Sequence, residues 1–133
     1  MTRPSPVPNA DSRPYWEAAD RGELAYQQCR ACGQAQFPPG RICRRCHGDG
    51  LEWRLSAGRG TVHSFTVVHR APTAAFAGAP YAILLVDLEE GFRIMANASP
   101  ADPPGLAIGR RVRIVFAPAG DGRTLPQAEP EEP

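Results

Sequence analysis

Residues 29–47 read CRACGQAQFPPGRICRRCH, and this stretch decides the fold. It holds two Cys-x-x-Cys pairs, Cys29–Cys32 and Cys43–Cys46, with ten residues between them. Each pair can place two sulfurs on one metal ion, and the connection is long enough to bring the pairs together. Four thiolates then complete a closed tetrahedron, which is a structural site with no open position for water or substrate. Gly33, after Cys32, permits the left-handed turn of such a knuckle. His47 holds the equivalent place after Cys46, and His is among the better-tolerated residues there. The run CRRCH also matches a c-type haem attachment pattern, but that reading leaves the first pair unexplained. A redox dithiol calls for a Cys-x-x-Cys at the start of a helix, and neither pair is so placed. Four sulfurs suit zinc or iron; one structural Zn2+ per chain is the expected cofactor. Residues 24–53 have few apolar side chains, so the metal is expected to hold them together.

On the N-terminal side, Ser12 is a candidate cap, Pro14 suits a first turn and Arg21-Gly22 a stop, predicting a helix over 13–20. Tyr15, Trp16 and Ala19 share one side of it. Two turns are unstable alone, so the segment 12–23 must pack on its own domain or dock on another subunit, where Tyr15 and Trp16 are the anchors. On the C-terminal side the pattern turns to strands. Thr61–His69 is β-branched and aromatic, Tyr81–Leu88 nearly continuously apolar, and Glu89-Glu90-Gly91 a turn into Phe92–Ala98. Arg111–Ala117 alternates again, with Val112, Ile114 and Phe116 on one face. Leu51–Leu55 is read as a first strand beside them. Gly58 and Gly60 permit the bend a small barrel needs. The fold class predicted is mainly β: a short N-terminal helix, a rubredoxin-like zinc ribbon over 24–53 and a five-stranded OB-fold barrel over 54–117.

The 133 residues suit one modest core. Gly and Pro number 13 and 15, which favours short strands over long helices. Proline-rich residues 1–11 and 118–133 are expected to be disordered tails. No apolar run is long enough to span a bilayer, and the N-terminal stretch lacks the apolar region of a secretory signal, so a cytoplasmic location is expected.

No catalytic set emerges. His63 and His69 share a strand face but are about 20 Å apart by strand rise, and no cysteine is left over as a nucleophile. No GxSxG, P-loop or HExxH is present. The fifteen basic residues are all Arg and leave a net charge of +1. This balance argues against a nucleic-acid protein on bulk charge, though a local patch is possible. Arg59, Arg70 and Arg93 are candidate ligand contacts, because guanidinium groups bind phosphates bidentately. The plainer reading is a solubilising face balanced by acids.

The order of signatures is Tyr15-Trp16-Glu17, the cysteine pairs around Phe37-Pro38-Pro39, Glu52-Trp53, Gly58-Arg59-Gly60-Thr61 and Pro80-Tyr81. It resembles the acyl-CoA-associated zinc-ribbon/OB-fold family, long known only as a domain of unknown function, over residues 14–117. The resemblance implies a non-catalytic accessory subunit of a thiolase or thiolase-like aldolase. The helix and barrel meet the enzyme, and the barrel helps accept acyl-CoA. Partners of this kind include hotdog-fold hydratases and enzymes of steroid side-chain degradation. Two departures stand out: His47 where the family has Gly, and a Leu125-Pro126-Gln127 segment without the family's aromatic. The alternative is a single-stranded nucleic-acid binder, a role in which ribbons and OB-folds also recur.

Overall fold

The computed structural model describes residues 6–68, 81–98, 106–118 and 124–131. His69, Arg70 and the outermost residues of both expected tails lie outside the described residues.

Helix α1 (Arg13–Asp20) has Pro14 in its first turn and ends where Gly22 takes φ 78°. Ser12 does not cap it as expected. Its Oγ accepts from the Asn9 N–H at 3.0 Å, while its own N–H donates to Asn9 Oδ1 at 2.8 Å, a local brace that competes with capping. The helix buries Tyr15, Ala18 and Ala19.

Strands β1 (Ala25–Cys29), β2 (Ala35–Gln36) and β3 (Leu51–Leu55) form the ribbon sheet, in the order β2-β1-β3. Leu51–Leu55 therefore does not join the barrel. Antiparallel pairing from Ala25↔Leu55 to Cys29↔Leu51 commits it to β1, where it carries the chain away from the cysteines. The barrel is made of β4 (Arg59–Val68), β5 (Tyr81–Leu88), β6 (Arg93–Ala98), β7 (Arg111–Pro118) and β8 (Thr124–Pro130). It closes in the order β4-β5-β6-β8-β7.

The fifth barrel strand thus comes from 118–133, which the sequence reads as a disordered tail. β8 runs antiparallel to β7 from Val112↔Pro130 to Pro118↔Thr124 and parallel to β6 at Asn97↔Gln127 and Ala98↔Ala128. Only Ala128 of this strand is buried. Backbone pairing on two edges, rather than side-chain burial, holds it in place. Its Thr124 hydroxyl also donates to the Ala19 carbonyl at 2.7 Å, a second bond to an acceptor that already takes the Gly22 N–H at the end of α1.

Alternate residues of β5 (Ala82, Leu84, Val86, Leu88) fill the barrel with Val62, Ile94, Ala96 and Val112. Gly60 sits where β4 meets β5 and β7, and a Cβ there would collide with the Asp87 carbonyl. One core runs through barrel, ribbon and helix. Tyr26 of β1 stacks on Phe92 at 4.6 Å, Phe37 contacts Phe92, and Tyr15 contacts Phe37. Glu90 ties the β5–β6 turn to the ribbon–barrel junction, accepting from Ser56 Oγ at 2.7 Å and the Ala57 N–H at 2.8 Å. Among the described residues, no helix is long and apolar enough to cross a membrane.

Candidate metal centre and apolar groove

The four cysteine sulfurs all lie within 4.8 Å of one another, with Cys29–Cys46 and Cys32–Cys43 each at 3.6 Å. A tetrahedron with Zn–S bonds of about 2.3 Å has sulfurs about 3.8 Å apart, so the donor set fits one such ion. Two matching turns make the geometry. The Gly33 N–H donates to the Cys29 carbonyl at 2.9 Å, and the His47 N–H to the Cys43 carbonyl at 2.8 Å. Gly33 takes φ 78° and His47 φ 63°, so His47 does occupy the left-handed position. Backbone N–H groups aimed at sulfur, led by that of Cys46, lower the Cys43 thiol to about 6. The Cys32 N–H likewise lowers Cys29. These donors favour the thiolates that a metal requires, whereas at Cys46 the lowering by the Gly48 N–H is outweighed by hydrogen bonding to the neighbouring sulfurs, which pushes that thiol up to about 11. Four protein sulfurs fill a tetrahedral ion completely, so the centre supports the fold and offers no position for substrate.

A buried amide pair frames the centre, and the sequence carries no obvious sign of it. Gln27 and Gln36 are each 5% exposed. The Gln27 amide donates to the Gly40 carbonyl at 2.9 Å and accepts from the Gly40 N–H at 2.9 Å. Gln36 donates to the Ile42 carbonyl and to Gln27 Oε1, and accepts from the Arg44 N–H at 2.9 Å. Between them they shape the loop that delivers Cys43.

Above the ribbon, an apolar groove of about 540 Å³ lies between α1, Phe37-Pro38-Pro39 and the faces of β5, β6 and β8. Trp16, Tyr81, Ile83, Met95, Leu125 and Pro126 line it. Met95 is 63% exposed, unusual for so apolar a side chain in a strand. Of the two expected anchors only Trp16 stays partly at the surface. Tyr15 is 4% exposed, because Ala19 on the same face pulls that side of the helix into the core. Burial pushes its phenol pKa up. Leu125 and Pro126 reach the groove through β8, within the segment expected to be a tail.

Of the candidate arginines, Arg59 and Arg93 lie among the described residues, and each meets a carboxylate of its own. Arg59 pairs with Glu131 at 3.3 Å, and Arg93 chelates Asp87 through Nε at 2.5 Å and Nη2 at 3.3 Å. Arg111 pairs with Glu89 and Arg113 with Glu129. His63 lies beside Asp87 and Arg93, at 3.4 and 3.2 Å.

Comparison with known proteins gives this architecture a family. A model described as the ChsH2 rubredoxin-like zinc ribbon domain matches residues 16–52, and one described as the ChsH2 C-terminal OB-fold domain matches 53–117. A DUF35 domain-containing scaffold protein of Methanothermobacter thermautotrophicus is 38% identical over 98 residues, covering 72% of this chain and 73% of that protein. The 3-oxo-4,17-pregnadiene-20-carboxyl-CoA hydratase alpha subunit of Mycobacterium tuberculosis is 36% identical over 132 residues. That match covers 99% of this chain but 41% of the hydratase subunit, so the chain spans about two-fifths of that relative's length. Among solved structures, an Ltp2-ChsH2(DUF35) aldolase chain matches with TM-score 0.85 and 35% identity, over 95% of this chain and 98% of that one. The chain belongs to the ChsH2/DUF35 family of zinc-ribbon and OB-fold proteins.

Proposed function

We propose that this chain is a non-catalytic accessory subunit of a thiolase-like enzyme, docking through its apolar groove and helping the complex hold an acyl-CoA. The observation that carries the reading is the groove. It is open, walled by Trp16, Pro38 and Pro39 on one side and by Tyr81, Ile83 and Met95 on the other. Aromatic and methionine side chains around an exposed depression are characteristic of a protein interface. The likeness to a chain named as part of an Ltp2-ChsH2(DUF35) aldolase supports a thiolase-like partner. The hydratase alpha subunit name extends the candidates to a hotdog-fold hydratase and to steroid-like acyl groups. Chemistry in such a complex belongs to the partner, since this chain's sulfurs are taken up by the metal and Arg59, Arg93, Arg111 and Arg113 of the barrel by carboxylates.

The test is capture of partners from the native host on tagged wild-type and Trp16→Ala protein, with zinc measured on both. A stoichiometric thiolase-like partner, lost in the variant while zinc stays at one per chain, supports the reading. Equal capture by the variant removes the groove from it. Recovery of nucleic acid alone overturns it in favour of the OB-fold binder.

A further inference from the structure

A second cleft, of about 450 Å³, lies on the ribbon side of the barrel, away from Trp16 and Met95. Gln34, Gln36, Arg44 and Arg45 of the ribbon form one wall, and Gly91, Phe92 and Arg93 of the β5–β6 hairpin form the other. Three arginines therefore line one space from two parts of the fold. They differ in kind from the other barrel arginines. Arg59, Arg111 and Arg113 each have a carboxylate in reach, whereas Arg44 and Arg45 have none among the described residues. Each is instead aimed by a neutral acceptor: Arg44 Nη2 donates to the Pro38 carbonyl at 2.7 Å, and Arg45 Nη1 to Gln34 Oε1 at 3.2 Å. Neither hydrogen-bonds a cysteine sulfur among the described residues. Held in this way, a guanidinium keeps most of its donors for a ligand and loses less freedom on binding one. Arg93 is partly occupied by Asp87, which makes Asp87 the internal competitor for any incoming anion.

We propose that this cleft is a binding site for the phosphoryl groups of a small molecule, with Arg44 and Arg45 as its principal contacts and Arg93 released to it from Asp87. Planar, forked donors match phosphate oxygens bidentately, and a diphosphate spans two guanidinium groups. None of its three arginines lines the groove, although Phe37 stands between the two depressions and lines both.

The test titrates zinc-loaded full-length chain with inorganic pyrophosphate and, separately, with ADP at constant ionic strength. Calorimetry gives affinity, and NMR follows the arginine Nε–Hε signals. Saturable binding that moves the Arg44, Arg45 and Arg93 signals is expected. Arg45→Gln should weaken it about tenfold, the scale of one charge-assisted hydrogen bond. Asp87→Asn should tighten it several-fold by freeing Arg93, while Glu89→Gln, beside Arg111 instead, should leave it unchanged. An ADP affinity well above that of pyrophosphate identifies a nucleotide as the source of the phosphoryl groups, and equal affinities identify inorganic phosphate. No saturation with either probe overturns the proposal. So does an Asp87→Asn effect no larger than that of Glu89→Gln, which marks screening by bulk charge.

Discussion

His47 holds backbone that glycine usually takes, with φ 63°. A left-handed L-residue costs about 1–2 kcal/mol, partly offset because glycine loses more chain entropy on folding. His47→Gly is therefore expected to stabilise the zinc-loaded chain by about 0.5–1 kcal/mol, read as a higher thermal midpoint. An unchanged or lower midpoint would mean that the His47 ring makes a compensating contribution. Gly60 is the opposite case, since any Cβ there meets the backbone of Asp87. Asp87 itself is held by Arg93, whose guanidinium lowers the carboxyl below its ordinary value. A depressed carboxyl stabilises the fold above its unfolded value, about 3.9, and that contribution is lost as pH falls through the lower folded value. The pair is 41–47% exposed, so the effect is small. Asp87→Asn should cost about 0.5 kcal/mol or less at pH 7, and the difference from wild type should vanish in acid. Urea midpoints at the two pH values check this, and a persistent gap in acid would assign Asp87 a role beyond its charge.

At the scale of elements, β8 and the Gln27–Gln36 loop carry the most. Ending the chain after Pro118 removes the strand that joins β7 to β6 among the described residues, leaves the Ala19 carbonyl without Thr124, and strips Leu125 from the groove. Loss of dispersed amide NMR signals across the barrel is expected, and a spectrum that keeps its dispersion would show that the barrel closes without β8. Gln36→Leu deprives the Arg44 N–H and the Ile42 carbonyl of their partner inside the ribbon. Each orphaned buried group costs about 1–3 kcal/mol, so faster zinc release to a chelator is expected; wild-type release would make the amide dispensable. These same elements escaped the sequence. The cysteine pairs, α1 and Tyr81–Leu88 were legible because ligand spacing, a proline start and apolar density are local signals. β8 has no such signal: Thr124-Leu125-Pro126-Gln127 is proline-broken and polar, and its strand character comes from neighbours far along the chain. Leu51–Leu55 looked like a barrel strand because periodicity gives a strand but not its partner. Gln27 and Gln36 carry no signal in the sequence, since only the folded loop supplies the carbonyl and N–H groups that allow an amide to be buried. Tyr15 and Trp16 both line the groove, but Tyr15 is nearly buried, because two helical neighbours point in different directions and the pattern alone does not say which meets the core.

Across the whole molecule, aromatic contacts join three parts that sequence reading divides. Trp16 packs on Tyr15 at 4.7 Å, Tyr15 on Phe37 at 5.2 Å, Phe37 on Phe92 at 5.9 Å and Phe92 on Tyr26 at 4.6 Å. Helix, ribbon loop and barrel therefore share one buried cluster, and Phe37 stands both in that cluster and on the groove wall. None of the four cysteines lines the groove, yet the metal centre fixes the loop that carries Phe37, Pro38 and Pro39. Removing the ion leaves a ribbon with little apolar content of its own and withdraws Tyr26 and Phe37 from the barrel, at about 3–5 kcal/mol for a large aromatic taken out of a core. Chelation should therefore lower the unfolding temperature of the barrel as well as that of the ribbon, in a single transition, and flatten the near-ultraviolet circular dichroism of the aromatic cluster. Restored zinc should return both, and capture of a partner through the groove should follow the same course although no groove residue binds metal. Two separate transitions after chelation, with the barrel's unchanged, would show that the aromatic contacts transmit little stability between the parts. The centre would then support the ribbon alone.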